Sequence, residues 1–251
     1  MVTQDRITAL PFTRSLADWA DHFAHLPGFV YLDNGAVAEG SELELITALP
    51  TYTFLAQDYS SNLAIWMTHV ERALADARED SPVLGAAALF NGSLIVGNLD
   101  YDTPARRLAQ LTPTPSQAFA GLYHWVLVTH VESSTTEVLY HPQCPVETRR
   151  QVQSVLECKA GKKAAPFKLS QPFSPDIERT DYRRAIERIQ EYILAGDCYQ
   201  VNFAQRFQAT FTGDCWSGYR TARANLAGNF SGFMRPSNDR AILSLLSLIH
   251  I

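Results

Sequence analysis

Cysteine is scarce in this 251-residue chain: Cys144, Cys158, Cys198 and Cys215 are the only four, and no two form a Cys-x-x-Cys pair. Structural zinc needs closely spaced ligands, and the histidines at 22, 25, 69, 124, 130 and 141 stand near no such pair, so no metal centre is expected. The thiols are expected to stay reduced. No apolar run is long enough to span a bilayer, and the first residues lack the charged-then-apolar pattern of a leader. No membrane is therefore expected as a partner, and the cytoplasm is the expected location. Basic residues cluster only at Lys159, Lys162 and Lys163, and the net charge is −5, which excludes nucleic acid as the expected partner. Glycine-rich phosphate loops are missing, and so is a Gly-x-Ser-x-Gly elbow, because Gly40-Ser41 and Gly92-Ser93 lack the second glycine. His22 and His25 fall three apart on a predicted helix without a third ligand. Asp100 and Asp102 read as a solvated turn, and His124 beside Trp125 as a core or interface residue.

Apolar residues make up 46% of the chain and charged residues 19%, enough to bury a sizeable core in one large or two smaller domains. Helical spacing of Leu16, Trp19, Ala20 and Phe23 predicts a helix over 15–26, capped by Ser15 and stopped at Pro27-Gly28. Strand-like runs follow at 29–33, 43–49 and 52–57, and Leu63, Trp66, Val70, Leu74 and Ala77 predict a second helix over 62–80. Asn91-Gly92 between Leu84–Phe90 and Ser93–Val96 is a two-residue hairpin signal, and Leu122–Val131 with Glu137–Tyr140 reads as another hairpin. Strands and helices joined in this way give an α+β fold of antiparallel sheets packed with helices. A short helix over 147–158 precedes a polar, proline-bearing stretch over 159–179, read as a linker. The expected organisation is an amino-terminal domain over 1–158, the linker, and a second unit opening at 180.

Residues 180–211 carry the most information. Tyr182, Ala185, Ile186, Ile189, Tyr192 and Ile193 line one helix face, with Thr180 as the expected cap and Gly196 as the residue able to end the helix in the left-handed region. The period then becomes two: Tyr199, Val201, Phe203, Phe207, Ala209 and Phe211 alternate with Gln200, Asn202, Arg206, Gln208 and Thr210, predicting one long strand.

The stretch Gly196-Asp-Cys-Tyr-Gln-Val-Asn-Phe-Ala-Gln-Arg-Phe207 resembles the opening signature of the chorismate-utilising enzymes, in which a helix ends in Gly-Asp and the next strand begins aromatic-Gln-Val. Its signature positions here are Gly196, Asp197, Tyr199, Gln200, Val201 and Asn202. Within the family, Cys-Tyr-Gln-Val-Asn followed by Ala-Gln-Arg-Phe is most similar to the branch forming 4-amino-4-deoxychorismate. The anthranilate-forming branch more typically has Ile-Phe-Gln-Val-Val. Weaker likeness extends over His25–Gly35, Leu43–Pro50 and Gly121–His130. Asp100–Arg107 stands where the family has Gly-Tyr-Asp-Leu-Gly-Arg-Arg.

The resemblance implies a fold like that of the anthranilate synthase component I chains, with the chorismate-binding part starting at 180 and incomplete at 245. It further implies magnesium held by glutamates, ammonia delivered by a separate glutaminase subunit, and a lysine in a Pro-Ile-Lys-Gly motif that acts in the substitution on chorismate. None of those catalytic groups is found within 1–245, so the chain by itself is expected to be inactive. Leu246–Ile251 matches the in-frame translation of a common transposon-end sequencing adapter and is expected to be foreign. Relatives also hold tryptophan in a pocket whose positions fall here on Asn34, Ser41, Phe230 and Ser231. Asn34 stands in place of a serine, Glu42 of an arginine and Asn229 of a proline, which leaves tryptophan binding and a plain core both open. Three functions follow as expectations: the aminodeoxychorismate-forming enzyme serving 4-aminobenzoate and folate, the anthranilate-forming enzyme, and a non-catalytic amino-acid-binding or glutaminase-docking module.

Overall fold

A computed structural model of the chain describes residues 7–12, 15–33, 43–60, 62–77, 93–100, 116–130, 134–158, 161, 164–226 and 231–245. In chain order the elements are β1 (Ile7–Leu10), α1 (Leu16–Phe23), β2 (Val30–Asp33), β3 (Leu43–Thr47), β4 (Tyr52–Leu55), α2 (Leu63–Asp76), β5 (Leu94–Asn98), β6 (Phe119–Tyr123), β7 (Trp125–His130) and β8 (Thr135–Tyr140). They continue with α3 (Val146–Glu157), β9 (Lys168–Leu169), β10 (Ser174–Pro175), α4 (Arg179–Ala195), β11 (Phe207–Gln208), β12 (Phe211–Thr212), α5 (Cys215–Asn225), β13 (Ser231–Ser237) and β14 (Arg240–Ser244). The fold is α+β, as the sequence predicts. Compact packing divides the chain into a first unit, Met1–Ala164 with Tyr219–Ile251, and a second, Ala165–Gly218.

Local chemistry sets the helix starts of the first unit. The Ser15 hydroxyl accepts from the Asp18 N–H at 3.2 Å while the Asp18 carboxylate accepts from the Ser15 N–H at 3.3 Å, a reciprocal cap worth about 1 kcal/mol. Asn62 caps α2 by accepting from the Ala64 and Ile65 N–H groups. α1 ends at Phe23, so His25 lies beyond it; His22 is buried and His25 exposed, and the shared helix face expected of them is not formed.

Seven strands form one sheet in the order β1-β8-β7-β3-β2-β13-β14, and three form a second in the order β4-β6-β5. The expected strand over 122–131 is split at His124: β6 belongs to the smaller sheet and β7 to the larger. Both halves are buried on both faces. Phe119 and Tyr123 of β6 face the larger sheet, where they pack with Val30, Leu45, Val126, Val128, Leu139 and Met234. Ala118 and Ala120 face the other way, onto Trp66 and Val70 of α2. On the far face of the large sheet, Phe23 of α1 packs on Trp125 at 5.2 Å between ring centroids, and Tyr219 of α5 meets Tyr31 and Phe233. The layers run helix, large sheet, small sheet, helix.

The carboxy-terminal hairpin β13–β14 joins this unit, β13 pairing with β2 through Ser231–Asp33 to Met234–Val30. It was expected instead with the unit opening at 180. The reason lies in the side chains: Phe233 and Met234 alternate onto the two faces of the large sheet, and both are buried there. Leu84–Phe90, the Asn91-Gly92 turn and 246–251 lie outside the described residues.

In the second unit the long strand predicted over 199–211 is not formed. Only 207–208 and 211–212 are paired, with 174–175 and 168–169 respectively, which were read as linker. A strand needs a partner to satisfy its backbone groups, and within this unit the partners are two residues long. Gly213, at φ +92°, closes the turn after β12; a Cβ there would meet the Pro166 carbonyl oxygen at 2.0 Å. α4 starts one residue before the expected cap: Glu178 occupies the cap position and Thr180 lies within the first turn. None of the residues of α4 is buried, and Leu194 is 87% exposed.

Because protection follows burial and pairing, backbone amides of β13 should exchange with solvent at rates like those of β2 and β7, whereas amides over 197–206 exchange orders of magnitude faster. Hydrogen exchange read by mass spectrometry checks this. Fast exchange in β13 would break the assignment of the hairpin to the large sheet.

Candidate functional site

The signature residues sit at the end of α4. Gly196 takes φ +80°, its N–H donates to the Ile193 carbonyl at 3.2 Å, and the Asp197 N–H reaches back to the Tyr192 carbonyl at 3.0 Å. This paired closure satisfies two of the orphan carbonyls at the helix end and uses glycine where a side chain would be strained. Beyond it, Tyr199 is 95% exposed, the Gln200 side-chain amide donates to the Asn202 side-chain oxygen at 3.3 Å, and Val201 is exposed. Further along, Gln205 donates to the Ile177 carbonyl at 2.8 Å, and Arg206 and Gln208 both donate to Asp176. Those two bonds hold the Asp176 carboxyl below its ordinary value, the Gln208 bond first. The polar side chains of the block therefore bond within the second unit; Tyr199, Val201 and Phe207 are exposed, whereas Phe203 stacks on Tyr182 of α4 at 5.2 Å between ring centroids.

Of the positions carried over for tryptophan, Asn34, Ser41 and Phe230 lie outside the described residues. Ser231 is buried at the start of β13, opposite Asp33 of β2.

That pairing opens a feature the sequence reading missed. Following the register across the large sheet, Ser231 faces Asp33, Asp33 stands at the position next to the Leu32–Leu45 pair and hence beside Glu44, Glu44 faces Thr129, and Thr129 faces Thr136. Five neighbouring strands thus contribute one polar residue each to a single row. The next row on the same face is Phe233, Tyr31, Ile46, Leu127 and Val138, all buried. A carboxylate in such a place is costly unless paired. Arg223 of α5 supplies the pair: its Nε and Nη2 donate to Asp33 Oδ1 at 2.9 and 2.8 Å, and Nε also to Oδ2 at 3.1 Å. Thr129 and Thr136 share a hydroxyl hydrogen bond of 3.2 Å. Glu44 is left with one guanidinium already engaged, so burial, and then repulsion from Asp33, raises its carboxyl above the ordinary range. The same environment pushes the Tyr31 and Tyr219 hydroxyls far up, burial first. The signal was present in the sequence: Asp33 and Glu44 share the strand parity of Tyr31 and Ile46, a charge on a face otherwise apolar.

His124 forms a second buried polar cluster. Its Nδ1 lies 2.9 Å from the Ser93 hydroxyl, and its ring stacks on His141 at 4.9 Å. Burial first, and then His141, lowers the imidazole to about 4. Asp100, read as a turn carboxylate, accepts a hydrogen bond from the Ser116 hydroxyl at 2.5 Å; Asp102 lies outside the described residues.

Among the described residues no three His, Cys, Asp or Glu side chains converge in a way that could hold a metal ion. The row holds only two carboxylates, and Arg223 already occupies that of Asp33, so these residues do not fit magnesium. No helix among them is long and apolar enough to cross a membrane.

Residues 30–245 match the family model described as chorismate binding enzyme, and the chain belongs to that family. Among curated proteins it is 28% identical over 249 residues to aminodeoxychorismate synthase component 1 of Salmonella typhimurium, covering 91% of this chain and 53% of that protein. It is 37% identical over 162 residues to the component 1 of Klebsiella aerogenes, covering 64% of this chain and 34% of that protein. The chain thus spans about half the length of the first of these relatives. Among solved structures, anthranilate synthase component I from Streptococcus pneumoniae TIGR4 superposes with a TM-score of 0.56 at 16% identity, over 83% of this chain and 51% of that one, a likeness of fold.

Two outcomes test the polar row and the histidine cluster. Arg223→Met leaves Asp33 buried without its cation and should destabilise the first unit by about 3–5 kcal/mol in urea unfolding, with Asp33→Asn added to it recovering part of the loss. For His124, an unfolded histidine titrates near 6.5, so between roughly pH 6.5 and 4 the unfolded chain binds a proton the folded chain refuses, and stability rises with pH across that window. The raised Glu44 carboxyl works in the opposite sense, since its folded form keeps a proton the unfolded form has lost. The readout is therefore a difference: the melting temperature of His124→Asn should fall less on acidification from 6.5 to 4 than that of the unaltered chain.

Proposed function

We propose that this chain is the amino-terminal part of a component I enzyme that aminates chorismate to 4-amino-4-deoxychorismate, the precursor of 4-aminobenzoate and so of folate. The observation that carries the reading is the family match over residues 30–245, joined to three curated relatives named aminodeoxychorismate synthase component 1. Supporting it, the Gly-Asp helix end and the Tyr-Gln-Val-Asn run that follows stand together at 196–202, as the family signature requires.

In this reading the first unit is scaffold rather than catalyst. Its polar row is held by the Asp33–Arg223 and Thr129–Thr136 contacts and presents no nucleophile beside a proton donor. Exchanging the ring hydroxyl of chorismate for an amine needs charge neutralisation at two carboxylates and an amine source, and the described residues assemble neither. Ammonia would come from a glutaminase subunit, and magnesium would be held elsewhere in the intact enzyme. Cytoplasm is the compartment in which chorismate and such a partner would meet. A shorter match, 36% identical over 87 residues, to an anthranilate synthase component 1 supports a second reading in which the amine enters at a different ring carbon and the product is anthranilate.

The decisive experiment supplies chorismate, magnesium and ammonium to the protein made from the uninterrupted reading frame that encodes these residues, with the 251-residue chain in parallel. Mass spectrometry should find 4-amino-4-deoxychorismate with the former and unchanged chorismate with the latter. Anthranilate as the product would move the chain to the second reading, and no consumption by either protein would remove both.

A further inference from the structure

The small sheet and α2 enclose an open groove of about 420 Å³ on the opposite side of the fold from the polar row. Small side chains line it on the α2 side, Ala73 within the helix and Ala77 at its cap, together with Leu122 and Phe54 of the small sheet; larger residues there would close the space. Tyr52, 63% exposed, forms an outer wall. The groove's volume is that of a small-molecule site, and its lining mixes apolar walls with five polar residues, Gln143 among them.

The polar groups fall at two ends. At the rim, His69, Arg72 and Asp76 lie along one side of α2, three and four residues apart and therefore on one face. Arg72 and Asp76 approach to 3.9 Å, but both side chains are largely in solvent, at 80% and 75% exposure. Such a pair is weak, so the guanidinium is easily recruited by another anion. In the interior end stands His124, only 4% exposed, yet part of the lining. Ser93 occupies its Nδ1 and His141 supports its ring face, which fixes the imidazole's orientation and leaves Nε2 as the atom able to meet a ligand. An imidazole held this way is neutral at physiological pH and offers one directional hydrogen bond rather than a charge. A core position would be better filled by leucine, since burying the ring costs its hydration.

We infer that this groove binds a single-ring aromatic carboxylate bearing a hydroxyl or amino substituent at the end of the ring away from the carboxylate. The carboxylate meets Arg72, whose planar fork matches it. The ring lies between Tyr52, Phe54 and Leu122, and the substituent bonds to His124. Asp76, beside Arg72, disfavours a second negative charge and so selects monocarboxylates. The inference does not depend on which product the intact enzyme makes, because the groove uses none of the signature residues.

Titration of the 251-residue chain with 4-hydroxybenzoate, followed by NMR, tests it. Saturable shifts are expected at the Ala73 and Ala77 methyl groups and the Tyr52 ring. Arg72→Gln, a change at an exposed position that the fold tolerates, should weaken binding about tenfold, the loss of one charge-assisted fork. On the ligand side, 4-methylbenzoate should bind more weakly for want of a partner to His124, and 4-methylphenol should not saturate for want of the carboxylate. The inference is overturned by no saturable shift up to roughly 10 mM 4-hydroxybenzoate, by shifts that leave Ala73 and Ala77 unmoved, or by equal affinity in the Arg72→Gln chain.

Discussion

One stretch of backbone, Phe119 to Thr129, has to be buried on both faces, and the first unit is arranged around that requirement. An apolar strand with water on one side would waste half its side chains, so each half needs cover above and below. The chain meets the demand by breaking at His124 and sending β6 and β7 into different sheets that stack on each other. Phe119 and Tyr123 then fill the space between sheets, while Ala118 and Ala120 admit α2 closely on the outside. The break is paired too: the His141 N–H donates to the His124 carbonyl at 2.8 Å, which anchors the end of β8 at the crossing point. The residue at the crossing is a histidine, and its ring is what gives the groove beside α2 a hydrogen-bonding interior.

The large sheet is completed by residues remote in sequence. Asp33 and Arg223 are 190 positions apart, and their bidentate contact is where the carboxy-terminal segment of the first unit is tied to the amino-terminal strands. The contact does not add to stability in the way apolar burial does, because each charge loses its hydration on entering the fold. Its effect is on register. A one-residue slip of β13 against β2 would carry Ser231 off its position opposite Asp33 and turn Phe233 to the other face. Tyr219, one turn before Arg223 on α5, packs on both Tyr31 and Phe233, so the same helix sets the apolar row and the polar row together.

Much of this was legible in the sequence where the signal was local. Ser15 before an apolar stripe and Gly196 after one each named a helix end through a side chain or a backbone freedom that acts within a few residues. Strand positions were legible for the same reason, since alternation is a property of neighbours. What failed was non-local. The run 122–131 reads as one strand because nothing in its own composition says that two sheets will share it. The run 199–211 alternates well, yet pairing depends on partners outside it, and in the second unit these are only two residues long. The polar row was missed because Asp33, Glu44, Thr129 and Ser231 come from four separated strands, and only register brings them side by side. The signature block was recognised by residue identity, which conveys family but not which contacts its side chains will make.

The second unit follows from the same reasoning with the opposite result. α4 has a well-formed stop and an apolar stripe, but its seventeen residues include none that is buried. A helix whose stripe meets no layer gains little from packing, and helices of this length are marginal on propensity alone. What holds the unit is therefore mostly directional: Asp176 gathering Arg206 and Gln208, Gln205 bonding the Ile177 carbonyl, and Phe167 stacked on Phe211 at 4.9 Å. These bonds fix the course of the chain around the Gly-Asp helix end while leaving Tyr199, Val201 and Phe207 on the outside. The course of the chain in this unit is set by directed bonds more than by burial.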